Sequence, residues 1–141
     1  MSNKIFIDTL FVIALINKRD QYHLLARQLS DVLEHHPLVT TDAVLLEIGN
    51  ALARNFKQQA VEIIDYFLAS EDVDVIHLNT RLFRQAFDLY KQYQDKQWGL
   101  IDCFSFIIMN EQGIRQALTF DQHFVQAGFQ ALMQGDSTAG N

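Results

Sequence analysis

The sequence predicts an α/β protein built around a central parallel sheet of four to five strands. Short apolar runs that favour strands alternate along the chain with longer amphipathic runs that favour helices. Most of the strand-like runs are continuously apolar, as is typical of strands that helices cover on both faces. The alternation and the burial together indicate parallel strands joined by helical crossovers.

The first half of the chain predicts two strands and three helices. Apolar residues recur at helical spacing in HLLARQLSDVL, and Pro37 opens the second strand. Thr41 or Asp42 can cap the helix that follows this strand. The predicted elements are a strand over 4–7, helices over 9–16 and 21–36, a strand over 37–40 and a helix over 41–56.

The second half predicts three further helices and up to three strands. VDVIHL alternates and is rich in β-branched residues, which predicts a strand. The predicted elements are a helix over 58–69, a strand over 73–78, an amphipathic helix over 80–94, an apolar helix that Asp102 opens and Gly113 ends, and strands over 115–120 and 129–132. In the amphipathic helix we expect an inward-facing set of apolar residues, namely Leu82, Phe83, Ala86, Phe87, Leu89 and Tyr90.

Length and composition indicate one folded domain. We place it at residues 1–134 of the 141, with 135–141 as a flexible C-terminal tail. An apolar content of 49% excludes a largely disordered chain. The apolar run at 6–16 is too short to cross a membrane and contains Asp8, so we expect no membrane association. Cys103 is the single cysteine and cannot form an internal disulfide, which indicates the cytoplasm, and we expect it in the core.

The charge balance limits how the chain could meet nucleic acid. It has 17 acidic and 11 basic residues and a net charge of −6, which argues against general coating of nucleic acid because such coating needs a basic surface. The balance is compatible with an enzyme that gathers its acids around metal ions. Candidate phosphate contacts are Lys18, Arg19, Arg54 and Lys57, with ordinary solvated charge as the alternative. Trp98 is a candidate platform for stacking a base, with packing in the core as the alternative.

Four acidic residues occupy comparable positions in this predicted framework. Asp8 and Asp121 follow the strands KIFI and RQALTF, and Asp102 opens the apolar helix. Glu47 lies at the border of the apolar face of the helix after PLVT. Because ligand sites of parallel sheets lie beyond the carboxyl ends of the strands, we expect these four side chains to converge on one rim.

A shared rim of carboxylates needs compensation for its charge. Lys96 is the only lysine or arginine within ten residues of Asp102 on either side. Unpaired carboxylates would repel one another and lose hydration, and hard oxygen ligands in a cluster suit Mg²⁺ or Mn²⁺. Taken singly, Asp102 and Asp121 are also ordinary helix caps, and Glu47 is an ordinary solvated helix residue. Among the histidines, only His123 lies close to one of these acids in sequence.

The ordered segments FIDT, TTDAVLLEIGNAL, WGLIDCFSFIIM and ALTFDQHF resemble the PIN domain, most closely the VapC-type toxins of bacterial toxin–antitoxin pairs. The resemblance covers about residues 4 to 133. It implies an α/β/α sandwich, an Mg²⁺-dependent ribonuclease activity on an RNA substrate, and an antitoxin protein as partner. The family's four acids match Asp8, Glu47, Asp102 and Asp121, which the resemblance implies are catalytic and hold Mg²⁺ or Mn²⁺. Thr9 matches the hydroxyl residue that usually follows the first acid.

Two departures from the family pattern leave a second interpretation open. Leu10 stands where the family often has serine or asparagine, and Gly99 and Ile101 stand in a region that usually has serine or threonine. The alternative is therefore a catalytically degenerate PIN-like binding or scaffold protein, which should not bind Mn²⁺ at a four-acid site. A receiver domain is excluded because FIDTL has one acid and no lysine follows Lys96. A phosphatase of the haloacid dehalogenase type is excluded because it needs a second aspartate at position 10.

Apolar residues outside the expected core predict an interface. Leu46 and Ala53 lie on the side of their helix opposite its apolar face, and Phe11 lies in an apolar stretch with little polar relief. Such residues often mark a contact surface. We therefore expect a homodimer or a contact with a partner protein.

Overall fold

The computed structural model describes residues 2–134 and contains one five-stranded sheet in which all neighbouring strands are parallel. The elements are, in chain order, β1 (Ile5–Ile7), α1 (Thr9–Ile16), α2 (His23–Val32), β2 (Leu38–Thr41), α3 (Asp42–Leu52), α4 (Lys57–Ala69), β3 (Val73–Ile76), α5 (Thr80–Gln92), α6 (Leu100–Gln112), β4 (Gln116–Leu118), α7 (Gln122–Gln126) and β5 (Gln130–Ala131). The predicted α/β class with a helix-flanked parallel sheet is confirmed. The tail predicted at 135–141 lies outside the described residues.

The strand order β3-β2-β1-β4-β5 places β1 at the centre of the sheet. All three residues of β1 are buried, so both faces of this strand are covered. The chain moves outward from β1 through β2 to β3, returns to pair β4 with β1, and then moves outward again to β5. The order reverses between β1 and β4, and crevices at such a reversal are where parallel sheets bind ligands.

An aromatic cluster fixes α6 and α7 against this part of the sheet. The ring of Phe106 packs edge-on against Phe124 and Trp98, with centroid distances of 5.0 and 5.1 Å. Phe6 of β1 packs against Phe124 at 6.4 Å. The indole of Trp98 is buried and donates to the Gln126 side chain, so Trp98 is a packed aromatic and not an exposed stacking platform. Cys103 is buried, as its place in the apolar run predicts.

Some element boundaries differ from the prediction for local reasons. The helix predicted over 21–36 ends at Val32, and His35 has a φ of 66°, a left-handed conformation that a helix cannot contain. The strand predicted over 73–78 ends at Ile76, because the Leu78 amide donates to Asp42 and not to a neighbouring strand. The Thr41 side chain accepts from the Val44 amide and is the cap of α3.

The predicted orientation of α5 is wrong for its aromatic residues. Leu82 and Ala86 are buried, but Phe83, Phe87 and Tyr90 are each more than 40% exposed. The two sets form neighbouring stripes on the helix, and the packing of α5 against α6 covers only one of them. The exposed rings contact one another instead, with centroid distances of 6.4 Å along the stripe.

Of the three residues predicted at an interface, two are exposed and one is buried. Leu46 and Ala53 are exposed, as predicted. Phe11 is buried, so its assignment to a contact surface is wrong, because α1 packs against both α2 and α3 and leaves this ring inside. Within the described residues, no helix has the length and apolar character needed to cross a membrane.

Candidate active site

The four acids that the sequence singled out line one open cleft at the carboxyl end of the sheet. Asp8 follows β1 directly, and Asp121 lies three residues after the end of β4. Asp102 is in the first turn of α6, and Glu47 is in the middle of α3. The cleft therefore sits at the point where the strand order reverses between β1 and β4.

Asp8 is the buried member of the group. It occupies the residue before α1 but makes no helix-capping hydrogen bond, and its side chain is turned towards β4. The Thr119 hydroxyl donates to Asp8 Oδ2 at 2.7 Å. The pKa of Asp8 is raised to about 7, chiefly by burial and also by the negative charges of Asp102 and Glu47, whereas the hydrogen bonds from Thr119 and from the Thr9 amide act against the rise.

Glu47 is held in place from α1. The Thr9 hydroxyl donates to Glu47 Oε1 at 2.6 Å, and this bond joins the residue after the first acid to the second acid. Glu47 is half-buried, and within the described residues this is the one hydrogen bond that its carboxylate accepts. Its Oε2 atom is therefore open to the cleft.

Asp102, Asp121 and His123 form a tight subgroup. One potential ligand atom from each lies within 4.8 Å of the others. His123 Nδ1 is 3.0 Å from Asp102 Oδ2 and 3.5 Å from Asp121 Oδ1. His123 therefore joins the site, although the sequence indicated only that it lies near Asp121.

Asp102 and Asp121 each accept a backbone hydrogen bond at the start of a helix, as their interpretation as helix caps predicts. Asp102 Oδ2 accepts from the Gly99 amide at 3.1 Å, and Asp121 Oδ1 accepts from the His123 amide at 2.9 Å. These bonds use one oxygen of each carboxylate and fix its orientation. Capping and a place in the cleft are compatible here because each carboxylate has a second oxygen.

The cleft has no basic side chain that balances its charge. In the part of the chain that the structure describes, the ion pairs of lysine and arginine involve Glu111, Asp88 and Asp95, none of which lines the cleft. His123 alone can offset some of the negative charge. Four carboxylates, one of them buried with a raised pKa, form a set of hard oxygen donors that fits Mg²⁺ or Mn²⁺.

Thr119 is the site residue that the sequence analysis missed. It is fully buried, it donates to Asp8, and its oxygen accepts from the Asp121 amide at 3.1 Å. One hydroxyl thus links the acids that follow β1 and β4. Its signal in the sequence was a threonine two residues before Asp121, at the end of a buried strand. The side chains of Asn50 and Gln97 also line the cleft.

Comparison with known proteins gives consistent matches. The family model described as the PIN domain matches residues 5–130. The chain is 32% identical over 126 residues to the 23S rRNA-specific endonuclease VapC20, found in two strains of Mycobacterium tuberculosis, and the match covers 89% of this chain and 95% of that protein. It also matches the crystal structure of Mycobacterium tuberculosis VapC20, a toxin that cleaves the sarcin–ricin loop, with a TM-score of 0.80 and 30% identity over 89% of this chain and 95% of that one.

Proposed function

The chain belongs to the PIN domain family, and we propose that it is a metal-dependent endoribonuclease that hydrolyses RNA phosphodiester bonds as the toxin of a toxin–antitoxin pair. The observation that carries this proposal is the cleft where Asp8, Glu47, Asp102 and Asp121 meet without a lysine or arginine partner. The similarity to an rRNA-specific endonuclease over nearly the whole chain supports it. By the same similarity, ribosomal RNA is the first substrate to test.

We propose that the four carboxylates hold Mg²⁺ or Mn²⁺, with His123 as an additional ligand for Mn²⁺. A bound divalent cation supplies the positive charge that polarises the phosphodiester and lowers the pKa of a water molecule. Asp8 and Asp121 keep fixed positions because the Thr119 hydroxyl links them. Thr9 holds one oxygen of Glu47 and leaves the other facing the cleft.

The chain's own polar groups complete the surface that meets the substrate. The side-chain amides of Asn50 and Gln97 can donate to phosphate or ribose oxygens at the mouth of the cleft. The carboxylates alone would repel a polyanion, so RNA enters the cleft only when cations balance their charge. The activity should therefore require a divalent ion for binding at the cleft as well as for the chemistry.

The alternative, a catalytically degenerate scaffold, rests on Leu10 and Gly99. Gly99 lacks a hydroxyl, but its backbone amide donates to Asp102 and orients that carboxylate. The missing hydroxyl therefore does not leave the third acid unsupported. A titration of the protein with Mn²⁺ separates the two functions, since a scaffold that has lost the site should show no saturable binding.

The partners we propose are an antitoxin protein and a second copy of this chain. The antitoxin follows from the likeness to VapC20, which is a toxin. Homodimerisation is supported by exposed apolar residues, among them Leu46 and the aromatic stripe of Phe83, Phe87 and Tyr90. Sedimentation of the purified chain tests it, and a Phe87→Glu variant should shift a dimer towards monomer. We propose a cytoplasmic location, where an RNA substrate is available and Cys103 stays reduced.

The direct test of the proposed function is cleavage of purified ribosomal RNA. We expect discrete fragments with Mn²⁺ or Mg²⁺ and none when EDTA is present. Asp42→Asn, which removes a carboxylate outside the cleft, serves as a matched control and should cleave like the unmodified chain. Cleavage that persists in EDTA, or an absence of cleavage of any RNA together with an absence of Mn²⁺ binding, would contradict the proposal.

A further inference from the structure

A second groove lies at the far ends of the two helices that carry Thr9 and Glu47. It is lined by Ile16–Arg19 at the end of α1 and by Asn55, Phe56 and Gln59 between and within α3 and α4. Helix α1 packs against α3. Since α1 has eight residues, its length places this groove about 12 Å from Asp8.

The groove collects basic residues that the fold leaves unpaired. Lys18 and Arg19 line it, and Arg54 and Lys57 lie on either side of Asn55 and Phe56 in the chain. All of these basic residues are exposed. Within residues 2–134, none of their side chains makes an ion pair or a hydrogen bond.

Four of the seven other basic residues have partners within the described residues. Arg81, Lys91 and Lys96 pair with Glu111, Asp88 and Asp95, and Arg115 donates to the Gly128 carbonyl. The other three, Lys4, Arg27 and Arg84, lie apart from one another, before β1, on α2 and on α5. An acidic protein of net charge −6 therefore keeps two unpaired basic side chains in this groove and two more beside its lining residues in the chain. Such a concentration of free positive charge on a negative protein is complementary to a polyanion.

The polar and aromatic lining fits a nucleic-acid backbone. Asn17 uses its side-chain oxygen to accept from the Arg19 amide, which leaves its NH₂ group free to donate to a phosphate. Gln59 offers a second amide, and the half-buried ring of Phe56 offers a face for a base. In stacked nucleic acid successive phosphates rise about 3.4 Å, so about 12 Å corresponds to three or four phosphates.

We propose that this groove, lined by Lys18, Arg19, Asn17 and Gln59 and flanked in the chain by Arg54 and Lys57, binds the RNA backbone a few nucleotides from the bond that is cut. The proposal rests on the proposed ribonuclease function and adds the path of the substrate across the surface. The RNA runs from the acidic cleft along the line where α1 meets α3. The groove supplies affinity, and the cleft supplies the reaction.

The test compares two double variants that remove the same charge. Lys18→Gln/Arg19→Gln changes the groove, and Lys4→Gln/Arg84→Gln changes two unpaired basic residues outside it. Binding of a fluorescein-labelled, unstructured single-stranded RNA is followed by anisotropy in EDTA over a series of KCl concentrations. Each phosphate contact on a single strand contributes about 0.7 to the slope of log K against log salt.

We expect the groove variant to lower the magnitude of this slope by about 1.4 and to weaken binding at 0.15 M salt roughly tenfold. The control variant should leave the slope unchanged. In the cleavage assay the groove variant should raise KM and leave kcat within about twofold. Equal slopes in all three proteins, or an equal loss in both variants, would overturn the proposal.

The binding readout does not depend on cleavage. If the unmodified chain cleaves no RNA, but the groove variant loses salt-dependent RNA binding, the proposed function is wrong and the groove remains an RNA site. If the unmodified chain cleaves RNA, and the groove variant has the same KM and the same RNA affinity, the proposed function stands and the groove is not an RNA site.

Discussion

Asp8 and Asp42 each follow a strand at the same end of the sheet, yet their surroundings are opposite. Asp42, after β2, accepts from the Leu78 amide at 3.1 Å and lies 3.2 Å from His77 Nδ1. Asp8, after β1, is buried with two other carboxylates near it, and its pKa is raised to about 7. The chain satisfies Asp42 with its own groups, whereas the charge of Asp8 calls for a partner from outside.

Position in the sheet explains the difference. Asp42 lies on the side of β2 and β3, where a following loop can fold back over it. Asp8 lies where the strand order reverses, so the chains after β1 and β4 diverge and leave the crevice open. Under the proposed function, the carboxylate at this reversal binds the metal ion, whereas the carboxylate one strand away holds a loop in place.

The contrast between Asp8 and Asp42 should have its largest effect on the rate of RNA cleavage. Asp8→Asn and Asp102→Asn should each lower metal-dependent RNA cleavage by at least about 10³-fold, because an amide keeps the shape but loses the charge that holds a cation. Asp42→Asn should stay within about twofold of the unmodified chain. Cleavage rates in Mn²⁺ check this, with circular dichroism as the control for folding. An active Asp102→Asn variant would reduce that residue to a helix cap.

The second-largest effect is expected in the pH dependence of the free energy of unfolding, measured in EDTA. Asp8 titrates near 3.8 when unfolded and near 7 when folded, so the folded chain keeps a proton that the unfolded chain releases. Asp8 therefore contributes stability that is full below pH 3.8 and is lost as the pH rises through about 7. We expect the free energy of unfolding to fall by a few kcal/mol over this window relative to Asp8→Asn.

Urea unfolding at steps of pH measures this difference. The Asp42→Asn variant, which removes a carboxylate that the chain already satisfies, should keep the full pH dependence of the unmodified protein. Saturating Mn²⁺ should restore stability at pH 7 in the unmodified chain and not in Asp8→Asn. If the free energies of unfolding of Asp8→Asn and the unmodified chain differ by the same amount at every pH, burial does not hold a proton on Asp8.

A third prediction separates the Thr119 hydroxyl from an ordinary buried hydroxyl. Thr119→Val removes the donor to Asp8 and the acceptor for the Asp121 amide, and should lower Mn²⁺ affinity about 10- to 100-fold. Thr40→Val is the matched control, since Thr40 is also fully buried but donates to the Ile7 carbonyl at 2.9 Å. Both variants should lose about 1–3 kcal/mol of stability. Titration calorimetry should detect weaker metal binding in Thr119→Val alone.

The smallest effect is expected at the satisfied acid. Asp42→Ala deprives the Leu78 amide of its acceptor at a partly exposed position, which should cost about 1 kcal/mol of stability. RNA cleavage should be unaffected below the melting temperature. Thermal melts beside the cleavage assay measure both quantities. A large loss of activity at a temperature where the variant is folded would mean that the two aspartates do not differ in role.

The sequence was sufficient for the sheet and for the four acids because both depend on local signals. Continuous apolar runs marked the strands. Three of the acids stood at the end of a strand or near the start of a helix, and Glu47 stood at the border of the apolar face of its helix. The positions of Asp8, Glu47, Asp102 and Asp121 in one cleft then followed from the topology of a parallel sheet. Their catalytic and metal-binding roles stay predictions.

Two features could not be read from the sequence. Helix α5 carries two neighbouring apolar stripes, and only tertiary packing decides that Leu82 and Ala86 face inward while Phe87 stays exposed. The bond from Thr119 to Asp8 joins residues 111 positions apart, and no local pattern shows which side chains meet across a sheet. Hydroxyls that orient an acid are therefore harder to predict than the acid itself.

The pairing of the first strand with the fourth also sets the order in which the site can be assembled during synthesis. Asp8 leaves the ribosome well before its neighbours Thr119 and Asp121, which follow it by more than a hundred residues. β1 can complete its pairing only after β4 has emerged, because contacts so distant in sequence form late. Under the proposed function, a nascent chain cannot cut the ribosomal RNA beside it until β4 and Asp121 have also been made.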